Sequence, residues 1–364
     1  MVGSILSPKR SRALLCGWML MALVGRAAAQ AAPAWNAILR QPKAWYGSEE
    51  ARQVAASVVS YQAPIGGWPK NIDMTRPASA PTPDRECTID NGGTTTQLQF
   101  LARVVEADPA RSPTVRQAVE RGLDYLLQAQ YENGGWPQFF PLRRGYYTHI
   151  TYNDNAMARV LNVLQAVAQG TKPFAWVDEV RRSAAAKAVV RGIDCILRTQ
   201  VRVNGELTAW CAQHDAVTLA PARARAFEPV SLSGAESVGL IEFLIEAAPP
   251  SAEVIAAVES GVRWLNDVKL VGWRVERPTL GDDTGRRDQV LVPHEGAVAW
   301  ARFYEIGTNR PIFAGRDTVI HDHLAAIEVE RRVGYTYYGT WAEDLLAKSY
   351  PAWRAKLAAR STSK

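Results

Sequence analysis

Apolar residues along this chain recur at three- and four-residue spacing far more often than they alternate. Residues 94–107 place Leu98, Leu101, Val104 and Val105 on one helical face, and residues 154–168 do the same with Met157, Val160, Leu161, Leu164 and Val167. Residues 234–247 contribute Val238, Ile241, Leu244 and Ile245, and residues 296–306 contribute Val298, Ala301 and Tyr304. Such spacing is that of amphipathic helices, so each stretch is predicted to be helical. Strand signals are sparse.

A second set of helices precedes these and is internally repeated. Arg121-Gly122-Leu123-Asp124-Tyr125-Leu126-Leu127, running to Gln130, recurs as Arg191-Gly192-Ile193-Asp194-Cys195-Ile196-Leu197, running to Gln200, and more weakly as Ser260-Gly261-Val262-Arg263-Trp264-Leu265. The glycines fall 70 and then 69 residues apart. Each copy leads into a tryptophan loop: Gly135-Trp136, Ala209-Trp210 and Gly272-Trp273. An earlier copy ends in Gln62 and continues into Gly66-Gly67-Trp68-Pro69, matching Gln130 and Gly134-Gly135-Trp136-Pro137. Four helix pairs with a period near 70 residues must bury their faces on neighbouring pairs. The expected fold is all-α: an (α/α) toroid of repeated helix pairs, with long irregular loops forming a cleft at one rim. The tryptophans of the Gly-Gly-Trp-Pro loops are expected to close each repeat onto its neighbour rather than to face a ligand.

Polar residues gather where the second helix of each pair begins: Asp90-Asn91 with Thr94-Thr95-Thr96, Asn153-Asp154-Asn155, then Ser231, Ser233 and Glu236, then His294-Glu295. One such residue per helix is what an N-cap requires. Two to five at equivalent points of successive repeats exceed that need and point to a shared cleft.

Composition narrows the function. Hydrophobic residues at 47% and charged residues at 21% are those of a globular chain with a sizeable core. The net charge of +6 is concentrated at the start, where Lys9, Arg10, Arg12 and Arg26 lie in a segment without acids; residues 30–364 carry only about +2. A basic nucleic-acid binder is therefore disfavoured. That same segment reads as an export signal: basic Lys9–Arg12, apolar Ala13–Val24, and an Ala27-Ala28-Ala29 cleavage site. Residues 1–29 are expected to be removed, leaving residues 30–364 as a single domain of a secreted or periplasmic, monomeric protein. Cys87, Cys195 and Cys211 would then remain. Either Cys195 pairs with Cys211, or all three are separately buried thiols. Nucleophile-elbow, phosphate-loop and dinucleotide fingerprints are absent from the sequence. The carboxylates Asp90, Asp154 and Glu236, without His or Cys partners, suit a hard cation such as calcium. Arg223, Arg225, Arg302 and Arg316 suit carboxylates on a ligand, because a guanidinium offers two parallel donors to two oxygens.

Several ordered motifs then resemble the family 10 polysaccharide lyases, the pectate lyases. They are Gly66-Gly67-Trp68-Pro69-Lys70-Asn71, Thr88-Ile89-Asp90-Asn91-Gly92, Gly134-Gly135-Trp136-Pro137-Gln138-Phe139 and His149-Ile150-Thr151-Tyr152-Asn153-Asp154. The series continues through Thr208–Asp215, Ser231–Ser237, Trp300–Ile306 and Glu330–Tyr335. The resemblance implies calcium-assisted β-elimination on polygalacturonate, an acidic polysaccharide. It implies catalytic roles for Arg225, as the base at C5, and Asp90. It gives Asp154 to the catalytic Ca2+, and Asn91, Thr95, Arg302 and Arg316 to substrate binding. Gly93 departs from the family's usual alanine, and Asn155 from its common aspartate. Outside the resemblance, the rival readings are a terpene-cyclase-like toroid, with Asp282-Asp283 as its nearest acidic motif, a non-catalytic uronan-binding protein, and a toroidal glycoside hydrolase using Asp90 with Glu236.

Overall fold

Glycine and tryptophan determine how the helix pairs pack. In the computed structural model, which describes residues 33–362 except 248 and 282–284, together with residues 1 and 3, the repeated motif lies on α3 (Pro113–Gln128), α5 (Glu179–Thr199) and α7 (Ala252–Asp267). With α1 (Glu49–Ser60) these form one layer, and α2 (Thr95–Ala107), α4 (Ala156–Ala168) and α6 (Glu236–Ala247) pack side by side as a second. The export-signal segment, Cys16 included, lies outside the described residues. The residues from Pro33 onward cluster as one compact unit.

Each motif glycine sits where the two layers touch. A Cβ on Gly122 would come within 2.7 Å of Leu98 and of the Trp68 ring, one on Gly192 within 2.5 Å of Leu161, and one on Gly261 within 2.8 Å of Ile241. Each tryptophan is buried and its indole N–H ends on a helix carbonyl: Trp68 on Val58, Trp136 on Leu126, Trp210 on Ile196, all at 2.8 Å. The motif glutamines tie the loops to the next unit's helix. Gln62 donates to Gly66 and Ala118 carbonyls, Gln130 to Gly134 and Ala188, and Gln200 to Thr208 and Ala257. The tryptophans are therefore structural. Ser48, Asp178 and Ser251 cap α1, α5 and α7 by accepting from the backbone N–H three residues on.

The all-α expectation fails in the fourth unit and in the connections. About 48% of the described residues are helical and 13% are in strands, with several small antiparallel sheets, and an all-α toroid is not what these elements form. Residues 296–306, expected to be helical, belong largely to a strand, Val290–Ala301, paired with Leu270–Glu276. Val290, Val292 and Val298 are β-branched, Pro293 lacks an N–H, and Gly296 adopts φ +76°, all of which oppose a helix. The three-residue spacing of Val298, Ala301 and Tyr304 was too short a signal to separate the two periods. The fourth tryptophan is consequently Trp300, whose indole donates to Leu265 O at 2.8 Å, while Trp273 is 40% exposed on the hairpin.

Three of the remaining short pairings join successive units. Thr88 bridges to Phe139, Ile150–Thr151 pairs with Gln213–His214, and Leu232–Ser233 pairs with Phe303–Tyr304. Each join lies just ahead of a polar turn, so backbone pairing fixes where the turns sit. Cys87, Cys195 and Cys211 are buried free thiols, which resolves the cysteine alternatives in favour of three separate groups.

Candidate active site

Three polar turns lie at equivalent points, each leading into a second-layer helix. In the first, Asp90–Gly92 is a single 3-10 turn, with Asn91 at φ +50° and Thr94 at φ +61° before α2. The second, Asn153–Asn155, repeats the shape, with Asp154 at φ +50° and Asn155 at φ +59° before α4. Asparagine and aspartate tolerate this left-handed region better than other non-glycine residues. The third carries Ser233 and Glu236 at the start of α6.

Part of the polarity is structural. Thr94 Oγ accepts from Trp68 N at 3.0 Å and Ser237 Oγ from Trp210 N at 3.1 Å. Thr95 is buried and its hydroxyl turns back to Gly92 O at 3.3 Å. His294-Glu295 does not form a fourth turn; both residues are exposed within the long strand. Arg302 takes that place. It follows the strand Val290–Ala301, and it is fixed by Gly234 N donating to its carbonyl (2.9 Å) and by its own N–H donating to Tyr337 O (2.7 Å).

The buried Arg302 guanidinium donates through Nη2 to Asp154 Oδ1 at 2.7 Å and to Glu236 Oε1. Glu236 also accepts from Asp154 N at 3.1 Å and from the Ser233 hydroxyl. Burial acts to lower the Arg302 pKa, but the charge of Glu236 and the neighbouring Tyr335 and Asp154 outweigh it and hold it well above the usual value. Arg302 stays cationic.

Arg225 forms a second cluster, also beside Tyr335. Its Nε donates to Glu228 Oε2 at 2.8 Å and its Nη2 to Oε1, a bidentate fork. Tyr335 Oη donates to Glu228 Oε1 at 3.0 Å. The Tyr335 ring lies 4.7 Å from Arg302 Cζ and 5.6 Å from Arg225 Cζ, so one buried phenol contacts both cations. Partial desolvation works against the charge on Arg225, and the Glu228 hydrogen bond and charge more than reverse this, so its pKa is raised. Burial pushes the Tyr335 pKa well up, which keeps the phenol neutral. Arg316 joins through Phe227, 6.0 Å from the ring, but its guanidinium is exposed and donates to Glu330 at 3.0 and 3.1 Å. Arg223 is exposed.

Asp90 and Asn91 belong to a neighbouring cluster. Asp90 Oδ2 pairs with Lys70, and Asn91 Nδ2 donates to Asn71 Oδ1 at 3.1 Å. Beside them opens a cavity of about 400 Å³ lined by Lys70, Asn71, Phe139 and Arg143. The structure thus brings Asp154, Arg302 and Arg225 around Tyr335, and leaves Asp90, Asn91 and Thr95 on the adjoining turn.

Sequence reasoning marks Glu228 by its place three residues after Arg225 and passes over Lys70 and Tyr335 as parts of the site. For Lys70 the signal was its place at the end of the first Gly-Gly-Trp-Pro motif.

Fixed cations and carboxylates thus gather beside the starts of the second-layer helices. The chain belongs to the pectic acid lyase family, whose model matches residues 62–346, and it is a polysaccharide lyase. Two solved structures are similar to it. The family 10 polysaccharide lyase from Cellvibrio cellulosa shares 37% identity at a TM-score of 0.76, covering 86% of this chain and 93% of that one. An aspartate-to-alanine mutant of the family 10 lyase from the same organism, in complex with trigalacturonic acid, shares 37% identity at a TM-score of 0.75, with coverages of 84% and 93%. No curated protein matches the chain. Family membership sets the terpene-cyclase and glycoside-hydrolase readings aside.

Proposed function

We propose that this lyase cleaves polygalacturonate by β-elimination with calcium, at the Asp154–Arg302–Arg225 cluster. In this reaction the C5 proton leaves, the C4–O bond breaks, and a C4–C5 double bond forms while the departing oxygen takes up a proton. A proton beside a carboxylate is weakly acidic because its loss places a second negative charge on that group. Fixed cations aimed at that charge lower the barrier. The observation that carries the reading is the pair of guanidiniums, Arg225 and Arg302, both held charged within 6 Å of the Tyr335 ring, at 5.6 and 4.7 Å.

The residues present suit a hard cation. Asp154 keeps a partly exposed carboxylate, whose Oδ1 accepts from Arg302 and whose Oδ2 accepts from Asn153 Nδ2 at 2.9 Å, so the one oxygen ligand offered here is an oriented carboxylate. Among the described residues no group of three His, Cys, Asp or Glu gathers around a common point, so further oxygens would come from the substrate. Calcium, when bound, supplies positive charge to the uronate carboxylate. Asp154 would hold it; Arg302 orients Asp154; Arg225 stabilises the charge that develops as C5 loses its proton. With Glu228 holding Arg225 cationic, hydroxide or water is the better proton acceptor. Asp90 and Asn91, on the adjoining turn, would line the path of the chain, and Arg316 would take a carboxylate at the far side of Phe227. The basic and apolar segment at residues 1–29 supports export of a domain beginning near residue 30; no helix among the described residues is long and apolar enough to cross a membrane.

The test is a calcium titration of polygalacturonate cleavage for wild type and Asp154→Ala. The variant should need at least tenfold more calcium, or lose turnover, with an unchanged circular dichroism spectrum, since Arg302 keeps Glu236 as partner. An unaltered titration would move the ligand to Asp90.

A further inference from the structure

Almost every cation in the cleft is already committed to a carboxylate of the protein. Arg302 is held by Asp154 and Glu236, Arg225 by Glu228, Arg316 by Glu330, Lys70 by Asp90 and Arg143 by Glu86. A uronate carboxylate binding to any of these competes with an existing ion pair. Arg159 differs. It lies on α4, exposed, one helical turn past Asp154, and among the described residues its only bond is a long one, Nε to Asp154 O at 3.4 Å. Its Nη1 reaches to 3.7 Å from where a Cβ on Gly92 would stand. The guanidinium therefore spans the gap between the first polar turn, Asp90–Gly92, and the second, Asn153–Asn155.

We propose that Arg159 is a substrate-binding residue, which takes a carboxylate of the polygalacturonate chain at a sugar next to the reacting one, as that chain crosses from the Asp90 turn to the Asp154 turn. Two observations support this beyond the lack of a partner. Asp90 and Asp154 flank the gap, each already paired within the protein, to Lys70 and to Arg302, and Arg159 is the cation between them that holds no carboxylate among the described residues. Gly92, at φ +74°, leaves the space in front of Nη1 clear of a side chain. A free guanidinium offers two parallel donors to a carboxylate without giving up any pairing inside the protein.

The inference rests on the lyase reading, and the experiment separates the two. Kinetics on polygalacturonate are measured at several sodium chloride concentrations for wild type, Arg159→Ala and Arg159→Lys, with thermal midpoints as the folding control. Arg159→Ala should raise KM about tenfold, leave kcat within about twofold, and flatten the fall of kcat/KM with salt, because one screened attraction is gone. Arg159→Lys should recover part of the KM loss and the salt slope, since charge returns without the fork. An unchanged KM in Arg159→Ala overturns the assignment. So does a raised KM with the wild-type salt slope, which would mean that the side chain acts only by holding the Asp154 turn. If wild type gives no unsaturated product, the lyase reading fails instead, and the inference is then judged by calorimetric binding of trigalacturonate. Weaker binding to Arg159→Ala supports it, and equal binding overturns it.

Discussion

Arg225 donates twice to Glu228, and Glu228 accepts in turn from Tyr335, so the position of this guanidinium is set by a buried carboxylate and a phenol. On the proposed mechanism, replacing Arg225 with alanine removes a charge that matters most in the transition state. A positioned group of this kind contributes ~10²–10³-fold, so kcat should fall at least about a hundredfold with little change in KM. Glu228→Gln separates the two roles open to an arginine here. Losing the Glu228 charge lets the raised Arg225 pKa relax downward. If Arg225 acted as a base, more of it would be neutral at a given pH, and the rising limb of the rate profile would move to lower pH. Acting as a fixed cation, it should instead lose orientation: kcat falls and that limb stays in place. Steady-state rates of Glu228→Gln across the pH range decide between them, and a lower kcat with an unmoved limb is the expected outcome.

Among the elements, close approach of the two helical layers is the feature most exposed to mutation. Gly122→Ala would gain roughly 1 kcal/mol of helix propensity, yet its Cβ would meet Leu98 Cδ2 and Trp68 Cζ3 at 2.7 Å. Leu98 can shift; the Trp68 ring, fixed by its bond to Val58 O, cannot easily do so. Overpacking of this kind costs about 1–3 kcal/mol, so chemical denaturation should show Gly122→Ala to be less stable than wild type despite the propensity gain. A second expectation concerns His214, in the strand that joins the second and third units. Its Nδ1 lies 2.9 Å from Leu219 O and its Nε2 accepts from Cys211 N at 3.2 Å, which fits the neutral ring protonated on Nδ1. Burial pushes its pKa down from 6.5 to about 4. The unfolded chain therefore binds the proton more readily than the folded one between those values. The stabilisation is complete above pH 6.5 and is lost as pH falls toward 4, a change of about 3 kcal/mol. Urea unfolding from pH 7 to 4 should show this slope in wild type, and a shallower one in His214→Gln.

For the whole molecule, the repeat was legible because it is written in side chains that meet across the layers: Gly122, Gly192 and Gly261 at the contacts, Gln62, Gln130 and Gln200 at the loop joins. The fourth unit was not, because its second element had been replaced. Val290, Pro293 and Gly296 signal a strand one by one, but the spacing of Val298, Ala301 and Tyr304 is shared by both periods. Arg302 and Asp154 could be named from motifs, but their contact, 148 residues apart in sequence, depends on the pairing of Leu232–Ser233 with Phe303–Tyr304 and so on a sheet that the helical reading did not contain. Glu228 and Tyr335 lie 107 residues apart for the same reason. The central claim is that this arrangement performs calcium-assisted β-elimination on polygalacturonate. Its most direct measurement is the ultraviolet absorbance of unsaturated uronide released from polygalacturonate by metal-stripped protein, with added calcium and with excess EGTA. Absorbance should rise with calcium and be suppressed by EGTA; equal rates in both, or cleavage without unsaturated product, would contradict it.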